Sequence, residues 1–187
     1  EEGRYFTTLD GVERTISAED LMIGNDEEPM CIGGVFGGLD SGVTEETKNI
    51  FIESAYFNPV SIRKTARRHG LNTDASFRFE RGIDPHNTIY ILKYAAMLIK
   101  ELTGGTIASE VTDIYPAPLN NFIVDVKIEK INSLIGKVIE TEQIERIFEG
   151  LEMKVLEKDN EGYKLEVPAY RVDVQRDVDV IEDILRI

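Results

Sequence analysis

The sequence predicts a fold of the α+β class, in which a domain of mixed sheet and helices precedes a small winged-helix-like domain. Short apolar stretches bounded by turn residues predict strands, and apolar residues that recur at a helical period predict helices. Residues 114–121 contain two prolines and two asparagines between periodic segments, which indicates a linker. We therefore divide the chain into domains of residues 1–117 and 118–187.

The first domain is predicted to combine five strands with two helices. Asn58-Pro59 begins the first helix, since Asn is a preferred N-cap and Pro fits the first turn, and His69-Gly70 ends it. Asp84-Pro85 repeats that start signal for a helix that stops at Gly104-Gly105. The predicted strands are Tyr5–Thr8, Asp20–Ile23, Met30–Phe36, Asn49–Ser54 and Thr106–Ile114.

The second domain is predicted to contain a strand, two helices, a hairpin and a final helix. Apolar residues recur at a helical period in Ile128–Ile135 and in Ile144–Leu151, and Thr141 is the predicted N-cap of the second helix. Asp159–Gly162 carries the turn residues of a hairpin. Two short helices followed by a hairpin are typical of a winged-helix-like module.

The chain is strongly acidic, with a net charge of −14 over 187 residues. Such a surface argues against broad nucleic-acid binding, which needs Lys and Arg to attract phosphates. Residues 61–81 are the exception, with a local charge of +4. The cations there are Arg63, Lys64, Arg67, Arg68, Arg78 and Arg81, and the acids are Asp74 and Glu80. A local basic patch within an acidic surface that repels nucleic acid could admit one particular nucleic-acid end and exclude duplexes in general.

Cysteine content and hydropathy suggest in which cellular compartment the protein works. The single cysteine, Cys31, can form no internal disulfide, which fits a reducing compartment such as the cytoplasm. No stretch resembles a signal peptide or a membrane-spanning run, so we expect no membrane partner. The chain begins at Glu1 without Met, from which we expect a fragment of a longer protein.

Three segments carry residues that could line a ligand pocket. Glu53 lies between apolar neighbours and could hydrogen-bond a ligand hydroxyl, but the pattern alone favours a solvated strand end. Thr73–Ser76 could line a small pocket, and Asn72 and Asp74 could equally cap a turn. Gly33–Gly38 follows a strand without the spacing of a phosphate loop, so a tight turn is the simpler interpretation.

The acidic residues near the C-terminus could hold Mg²⁺, which prefers oxygen ligands. They are Asp173, Asp179, Glu182 and Asp183, of which the last three share one helix face. Acids are also favoured at a helix N-terminus, and the spacing alone favours that explanation. His69 similarly fits a charge at a helix C-terminus better than a catalytic base. No Ser-His-Asp set, Cys-His pair or zinc-ligand spacing can be proposed.

Several motifs follow one another in order along the chain. In the first domain they are Tyr5–Gly11, Gly33–Gly38, Ser41–Val43, Glu53–Phe57, Ala66–Ser76 and Phe79–Pro85, and in the second Val167-Pro168, Tyr170–Asp173 and Asp179–Ile187. The first set resembles the editing domain of the bacterial phenylalanyl-tRNA synthetase beta chain. The second set resembles the small domain that follows it in that family. Together these similarities span essentially the whole chain.

The resemblance implies that the first domain hydrolyses tyrosine wrongly esterified to tRNA(Phe). The family's pocket residues correspond to Glu53, Thr73, Ala75 and Gly37, with Gly33 and Gly34 shaping the same wall. A buried Glu53 would recognise the tyrosine hydroxyl and reject phenylalanyl ester, which would leave the carboxylate unpaired. The family's editing histidine lies upstream of the matched stretch, so the resemblance assigns no catalytic residue to this chain.

The resemblance also implies an assembly. In that family an ATP-dependent ligase forms an (αβ)₂ tetramer whose alpha subunit carries the aminoacylation site, and tRNA(Phe) is its RNA partner. The family's Mg²⁺ ligands correspond to Asp173, Asp179, Glu182 and Asp183, in a site completed beside the alpha subunit. The alternative is a non-catalytic RNA- or protein-binding module of the same fold. The combination of Glu53 with Thr73 favours editing.

Overall fold

The computed structural model describes residues 3–187, and the chain forms two compact units. The first unit ends at Val111 and the second extends from Thr112 to Ile187. The described residues contain six helices and three small antiparallel sheets, which confirms the predicted α+β class. Residues 104–120 contain no helix or strand and are exposed.

Two small antiparallel sheets, rather than one mixed sheet, form the β structure of the first unit. Their strands are β1 Tyr5–Thr7, β2 Glu13–Thr15, β3 Met22–Gly24, β4 Pro29–Ile32 and β5 Phe36–Gly37. β1 pairs with β2, and β4 lies between β3 and β5. A bridge between Thr8 and Gly38 joins the sheets. A Cβ at Gly38 would lie 2.7 Å from the Phe6 ring, so this close approach requires glycine.

The first helix of this unit, α1 (Pro59–His69), confirms its predicted ends. The Asn58 side chain accepts hydrogen bonds from the backbone N–H groups of Val60 and Ser61. Gly70 closes the helix in the left-handed conformation, with φ of 63°. Ile62 and Ala66 on its inner face join a small core. The other members of that core are Phe6, Ile16, Ile32, Val35 and Phe57.

A second helix, α2 (Asp74–Phe79), occupies the segment for which the sequence allowed either a pocket wall or a capped turn. Its N-cap is Thr73, not Asn72 or Asp74. Thr73 Oγ1 accepts the Ser76 N–H at 3.0 Å, and Ser76 Oγ accepts the Thr73 N–H at 3.0 Å. This reciprocal capping stabilises a helix of only six residues, which is too short to show an apolar period.

Two predicted strands are absent, and the predicted strand Met30–Phe36 is instead two antiparallel strands, β4 and β5, joined by a turn. Asn49–Ser54 is an extended segment without strand pairing, and its apolar Phe51 is 95% exposed. Thr106–Ile114 likewise forms no strand and is exposed throughout. Both stretches have strand-like composition, but no neighbouring strand among residues 3–187 supplies the ladder hydrogen bonds that a strand needs.

The third helix, α3 (Thr88–Thr103), begins later than predicted. Asp84 and Pro85 lie in a preceding turn, in which Asp84 Oδ1 accepts the His86 N–H at 2.9 Å. Gly104 ends the helix as predicted, with φ of 71°. None of its residues is buried, although many are apolar.

The second unit confirms the predicted order of strand, two helices, hairpin and helix. It contains β6 Phe122–Lys127, α4 Ile128–Ile135, α5 Thr141–Gly150, β7 Lys154–Lys158, β8 Gly162–Val167 and α6 Asp177–Arg186. β8 lies between β6 and β7, and its side chains alternate between the core and the outer face. Thr141 is the first residue of α5 rather than its N-cap, and Glu140 at the N-cap makes no capping hydrogen bond with its side chain.

One hydrophobic core stabilises the second unit, and all three of its helices contribute residues to this core. Its buried residues are Val124, Val126, Ile131, Ile144, Ile147, Phe148, Met153, Tyr163, Leu165, Val167, Val174, Val180, Ile181 and Ile184. Phe148 and Tyr163 make an edge-to-face contact with ring centroids 5.2 Å apart. Across residues 3–187, the structure shows no helix that is both long enough and apolar enough to cross a membrane.

Candidate functional site

A cavity of about 760 Å³ opens in the first unit. Its wall combines β4 and β5, the extended segment before α1, the start of α2 and the first turn of α3. Its lining residues are Cys31, Ile32, Gly34, Val35, Phe36, Gly37, Glu53, Ser54, Ala55, Phe57, Thr73, Asp74, Ala75, Phe79, Ile83, Asp84, Asn87, Thr88 and Ile91. The size suits a small organic ligand.

Glu53 brings an available carboxylate to this cavity. Its side chain makes no hydrogen bond or ion pair with another residue of the described range 3–187. Burial by its surroundings raises the pKa of the Glu53 carboxyl. Glu53 is nevertheless solvent-exposed as a residue, which contradicts the expected buried position. Because the carboxylate lies at the rim, a ligand has to cover it before an unmet hydrogen bond becomes costly.

A neighbouring hydrogen bond fixes the segment that carries Glu53. Ser54 Oγ donates to the Thr88 carbonyl oxygen at 2.8 Å and so ties this segment to the start of α3. Cys31 of β4 also lines the cavity, and burial followed by the Glu53 charge raises the pKa of its thiol. The segment of Glu53 is thus held through the side chain of Ser54, and the Glu53 carboxylate remains open to a ligand.

Thr73 and Ala75 both line the cavity, as the resemblance implies. The Thr73 hydroxyl donates to the Val35 carbonyl oxygen at 2.6 Å and caps α2. Its single proton is therefore committed to the wall, and Thr73 positions α2 against the turn between β4 and β5. Ala75 in the first turn of α2 is small and exposed, which leaves room at the opening.

The three glycines predicted to form the pocket wall differ in whether they line the cavity. Gly37 and Gly34 line the cavity, and Gly33 does not. A Cβ at Gly34, whose φ is 67°, would lie 2.6 Å from Phe57, and one at Gly37 would lie 2.9 Å from Leu9. Gly33 is buried, and a Cβ there would lie 3.3 Å from the ring of Phe57, which does line the cavity.

Sequence reasoning missed the apolar and acidic parts of the lining. Phe79 of α2 stands edge-on to Phe57, with ring centroids 4.9 Å apart. Asp84 adds a carboxylate that was not expected, and Asp74, which lies in the segment Thr73–Ser76 that was considered as a pocket wall, adds another. No local motif could have found Phe79, because the helix that places it was itself not predicted.

His69 lies outside this lining and has a structural role. Its Nε2 is 2.7 Å from Asp20 Oδ2, and both side chains are almost fully buried. Burial opposes ionisation of Asp20, but hydrogen bonds from the Ser17 N–H, His69 and the Thr65 hydroxyl outweigh it and lower the pKa of the carboxyl. The pair ties the C-terminus of α1 to the turn before β3. This contact with a carboxylate of another segment differs from the predicted helix-capping charge.

The basic residues of segment 61–81 form several different contacts. Arg68 pairs with Asp20 and Glu19. Arg63 Nη2 donates to the Glu80 carbonyl oxygen at 3.1 Å and links α1 to the end of α2. Arg81 pairs with Glu80 at 3.0 Å and lies over the Phe77 ring, 3.5 Å from its centroid. Lys64, Arg67 and Arg78 are exposed.

The four predicted Mg²⁺ ligands lie in the second unit, and each has an arginine close by. Asp183 pairs with Arg171 at 2.7 Å, and Arg171 also approaches Asp173 at 3.8 Å. Asp179 pairs with Arg176 at 2.8 Å. Glu182 pairs with Arg186 at 2.6 Å.

In this arrangement, arginine side chains occupy three of the four carboxylates. A hydrogen bond from Arg176 is the main cause that lowers the pKa of Asp179, with help from two backbone N–H groups. Among residues 3–187, no three His, Cys, Asp or Glu side chains are grouped closely enough to hold a metal ion. Metal binding here would first require arginines to leave their carboxylates.

The chain is similar to known proteins over its whole length. The B3/4 domain family matches residues 1–104, and the tRNA synthetase B5 domain family matches residues 124–187. The phenylalanine–tRNA ligase beta subunit of Bacteroides fragilis is 66% identical over 186 residues, which is 100% of this chain and 23% of that protein.

Two further relatives bear the same name. The beta subunit of Porphyromonas gingivalis is 54% identical over 187 residues, which is 100% of this chain and 23% of the relative. That of Geobacter metallireducens is 42% identical over 185 residues, which is 99% of this chain and 23% of the relative. This chain thus spans about a quarter of the length of these relatives. It belongs to the B3/4 domain family, and its residues 124–187 match the tRNA synthetase B5 domain.

Proposed function

We propose that the cavity of the first unit is an editing site, which hydrolyses tyrosine wrongly esterified to tRNA(Phe) within a complete phenylalanine–tRNA ligase. The observation that carries this proposal is the Glu53 carboxylate, which has no partner among residues 3–187 and stands at the rim of a largely apolar cavity. An aromatic side chain fits such a lining, and a phenol hydroxyl can donate to the carboxylate.

Discrimination follows from what happens when the ligand covers Glu53. A tyrosine ring would desolvate the carboxylate and supply a hydrogen bond in return, whereas phenylalanine would desolvate it and supply none. Sites that rely on a substrate hydroxyl in this way reject the analogue that lacks it. Glu53 need not be buried beforehand, because the ligand itself excludes the water.

The charge of the lining supports an aminoacyl ester as the ligand. Glu53, Asp74 and Asp84 are carboxylates, and the described lining contains no Lys, Arg or His. This set favours the free α-ammonium group of an aminoacyl ester and disfavours a phosphate inside the cavity. Hydrolysis would then depend on an oriented water and on charge stabilisation more than on a nucleophile of this chain.

We also propose the assembly that the relatives suggest. Their names describe a beta subunit, which supports an alpha-subunit partner and tRNA. The (αβ)₂ tetramer, tRNA(Phe) and ATP as substrates, and the cytoplasm as the compartment are proposed from the sequence resemblance alone. Mg²⁺ binding by Asp173, Asp179, Glu182 and Asp183 stays a prediction for the assembled enzyme. If it occurs, Asp179→Ala should weaken Mg²⁺ binding there, and unchanged binding would contradict it.

The direct test uses the complete ligase with Glu53→Ala and tyrosyl-tRNA(Phe) as substrate. We expect hydrolysis of this ester to slow by about tenfold or more, since a hydrogen bond to a charged group contributes roughly 1.5–3 kcal/mol. Glu46→Ala, which changes an exposed acid outside the cavity, should leave the rate unchanged. A Glu53→Ala enzyme that hydrolyses tyrosyl-tRNA(Phe) at the normal rate would refute the assigned role.

A further inference from the structure

One hydrogen bond joins two walls of the cavity. Ser54 Oγ donates to the Thr88 carbonyl oxygen at 2.8 Å, across 34 residues of sequence. Ser54 follows Glu53 in the extended segment before α1, and Thr88 is the first residue of α3. All three residues line the cavity, and both partners of the bond are partly buried, which limits competition from water. The bond therefore links the wall that carries the carboxylate to the wall that α3 contributes.

The segment that carries the carboxylate has few other restraints. Residues 48–57 belong to no helix or strand. Within the described part of the chain, the Ser54 bond is the only hydrogen bond that connects them to another segment. Ala55 and Phe57 pack against the core of the first unit and hold the C-terminal part of the segment. Phe51, on the other side of the carboxylate, is 95% exposed, so apolar packing does not hold that part.

The wall formed by α3 depends on the same bond. α3 has no buried residue, and Thr88 and Ile91 bring its first turn to the cavity. Among the residues that the structure describes, the Ser54 hydroxyl makes the one hydrogen bond that reaches α3 from a distant part of the chain. The spacing between α3 and the segment of the carboxylate is therefore set largely by this contact.

The Ser54 hydroxyl can be removed without leaving a buried group unpaired. The Thr88 carbonyl lies at the start of a helix, where the N–H four residues further along also donates to it. In a Ser54→Ala variant this carbonyl keeps that donor, so the fold should tolerate the change. A carboxylate on a loosened wall, however, has to be ordered by the ligand, and this ordering weakens the hydrogen bond that the ligand gains.

We propose that Ser54 is a positioning residue of the editing site, whose hydrogen bond to Thr88 holds the Glu53 carboxylate where a tyrosine hydroxyl can reach it. This inference rests on the proposed function. Glu53 supplies the selective hydrogen bond, and Ser54 fixes the wall from which Glu53 acts. Ser54 itself need not touch the substrate, because its hydroxyl proton is committed to the Thr88 carbonyl.

The test compares hydrolysis of tyrosyl-tRNA(Phe) and phenylalanyl-tRNA(Phe) by the complete ligase with Ser54→Ala. We expect kcat/KM for the tyrosyl ester to fall about three- to tenfold, as for the loss of one hydrogen bond. The phenylalanyl ester makes no bond to Glu53, so its slow hydrolysis should not change and the preference for tyrosine should fall by the same factor.

Three further variants separate positioning from a general disturbance. Ser54→Thr keeps the hydroxyl donor and should retain the preference for tyrosine. Ser54→Cys has a weaker donor of similar volume and should lie between wild type and Ser54→Ala. Ser41→Ala is the matched control, because it removes another hydroxyl that donates to a backbone carbonyl of the first unit and does not line the cavity. It should leave both rates unchanged.

A double variant tests whether Ser54 acts through Glu53. In a Glu53→Ala enzyme, Ser54→Ala should cause no further loss of the preference for tyrosine, because the group that it positions is absent. A further loss in that background, equal slowing of both esters, or a preference within about twofold of wild type for Ser54→Ala would overturn the positioning role. A wild-type enzyme that does not hydrolyse tyrosyl-tRNA(Phe), or one indifferent to Glu53→Ala, would instead overturn the editing function itself.

Discussion

The two units differ in how they use apolar side chains and carboxylates. The second unit is the shorter one, yet fourteen buried residues form its core, against seven in the first unit. Asp179, Glu182 and Asp183 of the second unit each pair with an arginine. Glu53 of the first unit has no partner among the described residues and stands at a cavity. A carboxylate that is unpaired in a loosely packed unit is available to a ligand, and paired ones contribute to stability.

The largest effect should come from the core of the second unit. Phe148 is fully buried there, so Phe148→Ala should lower the free energy of unfolding of this unit by about 3–5 kcal/mol, measured by urea unfolding. Phe51 lies in the first unit and is 95% exposed, so Phe51→Ala should change the free energy of unfolding of that unit by less than about 0.5 kcal/mol. Equal effects at the two positions would remove the contrast between the units.

The next effect tests whether the paired carboxylates stabilise the fold. Asp183 is 15% exposed, and Arg171→Met would leave it without its partner, so we expect a loss of about 1–3 kcal/mol in the free energy of unfolding. Arg186→Met is the control, because its partner Glu182 is 58% exposed and surface pairs contribute about 0–1 kcal/mol. If the two variants are equally stable, the buried ion pair of Asp183 stabilises the fold no more than the exposed pair of Glu182, which contradicts the expectation.

A pH titration sharpens the same comparison inside the first unit. The pKa of Asp20 is lowered in the folded chain, so its contribution to stability is fully present above the unfolded value of about 3.9 and is lost as the pH falls through the folded value. In the Asp20→Asn variant, stability should therefore fall less steeply as the pH is lowered. Thermal unfolding measured between about pH 5 and pH 2 checks this. If Asp20→Asn does not change the dependence of stability on pH in this range, the buried pair of Asp20 with His69 does not contribute to stability.

The smallest effect is expected on α3, which has apolar residues but none that is buried. Met97→Ala should change the melting temperature of the chain by about a degree or less, because the side chain leaves no cavity behind. Val124→Ala in the second unit is the buried counterpart and should lower it clearly. A large loss for Met97→Ala would show that α3 packs more tightly than its exposure indicates.

Elements with strong local signals could be predicted from the sequence. The ends of α1 follow from Asn58, Pro59 and Gly70, whose side-chain chemistry acts within one turn. The order of elements in the second unit follows from clear apolar periods. The extended segments 49–54 and 106–114 have strand composition, but a strand exists only where a partner pairs with it, and such a partner is not visible in a local pattern.

The candidate site could not be assembled from local patterns at all. Glu53, Thr73 and Gly37 are distant in sequence, and they meet because Thr73 bonds to Val35 and Ser54 bonds to Thr88. The resemblance to a known family grouped these residues, and the structure places them around one cavity. The exposure of Glu53 differs from expectation, because the solvent exposure of one side chain depends on tertiary packing that a local pattern does not contain.

The central claim is that Glu53 selects a ligand through its hydroxyl. A structure of the complete ligase with a non-hydrolysable tyrosyl ester analogue of adenosine tests it most directly. We expect the tyrosine ring in the cavity, with its phenol oxygen about 2.5–3.0 Å from a carboxylate oxygen of Glu53. A ring bound elsewhere, or a phenol that contacts other groups while Glu53 faces solvent, would contradict the account.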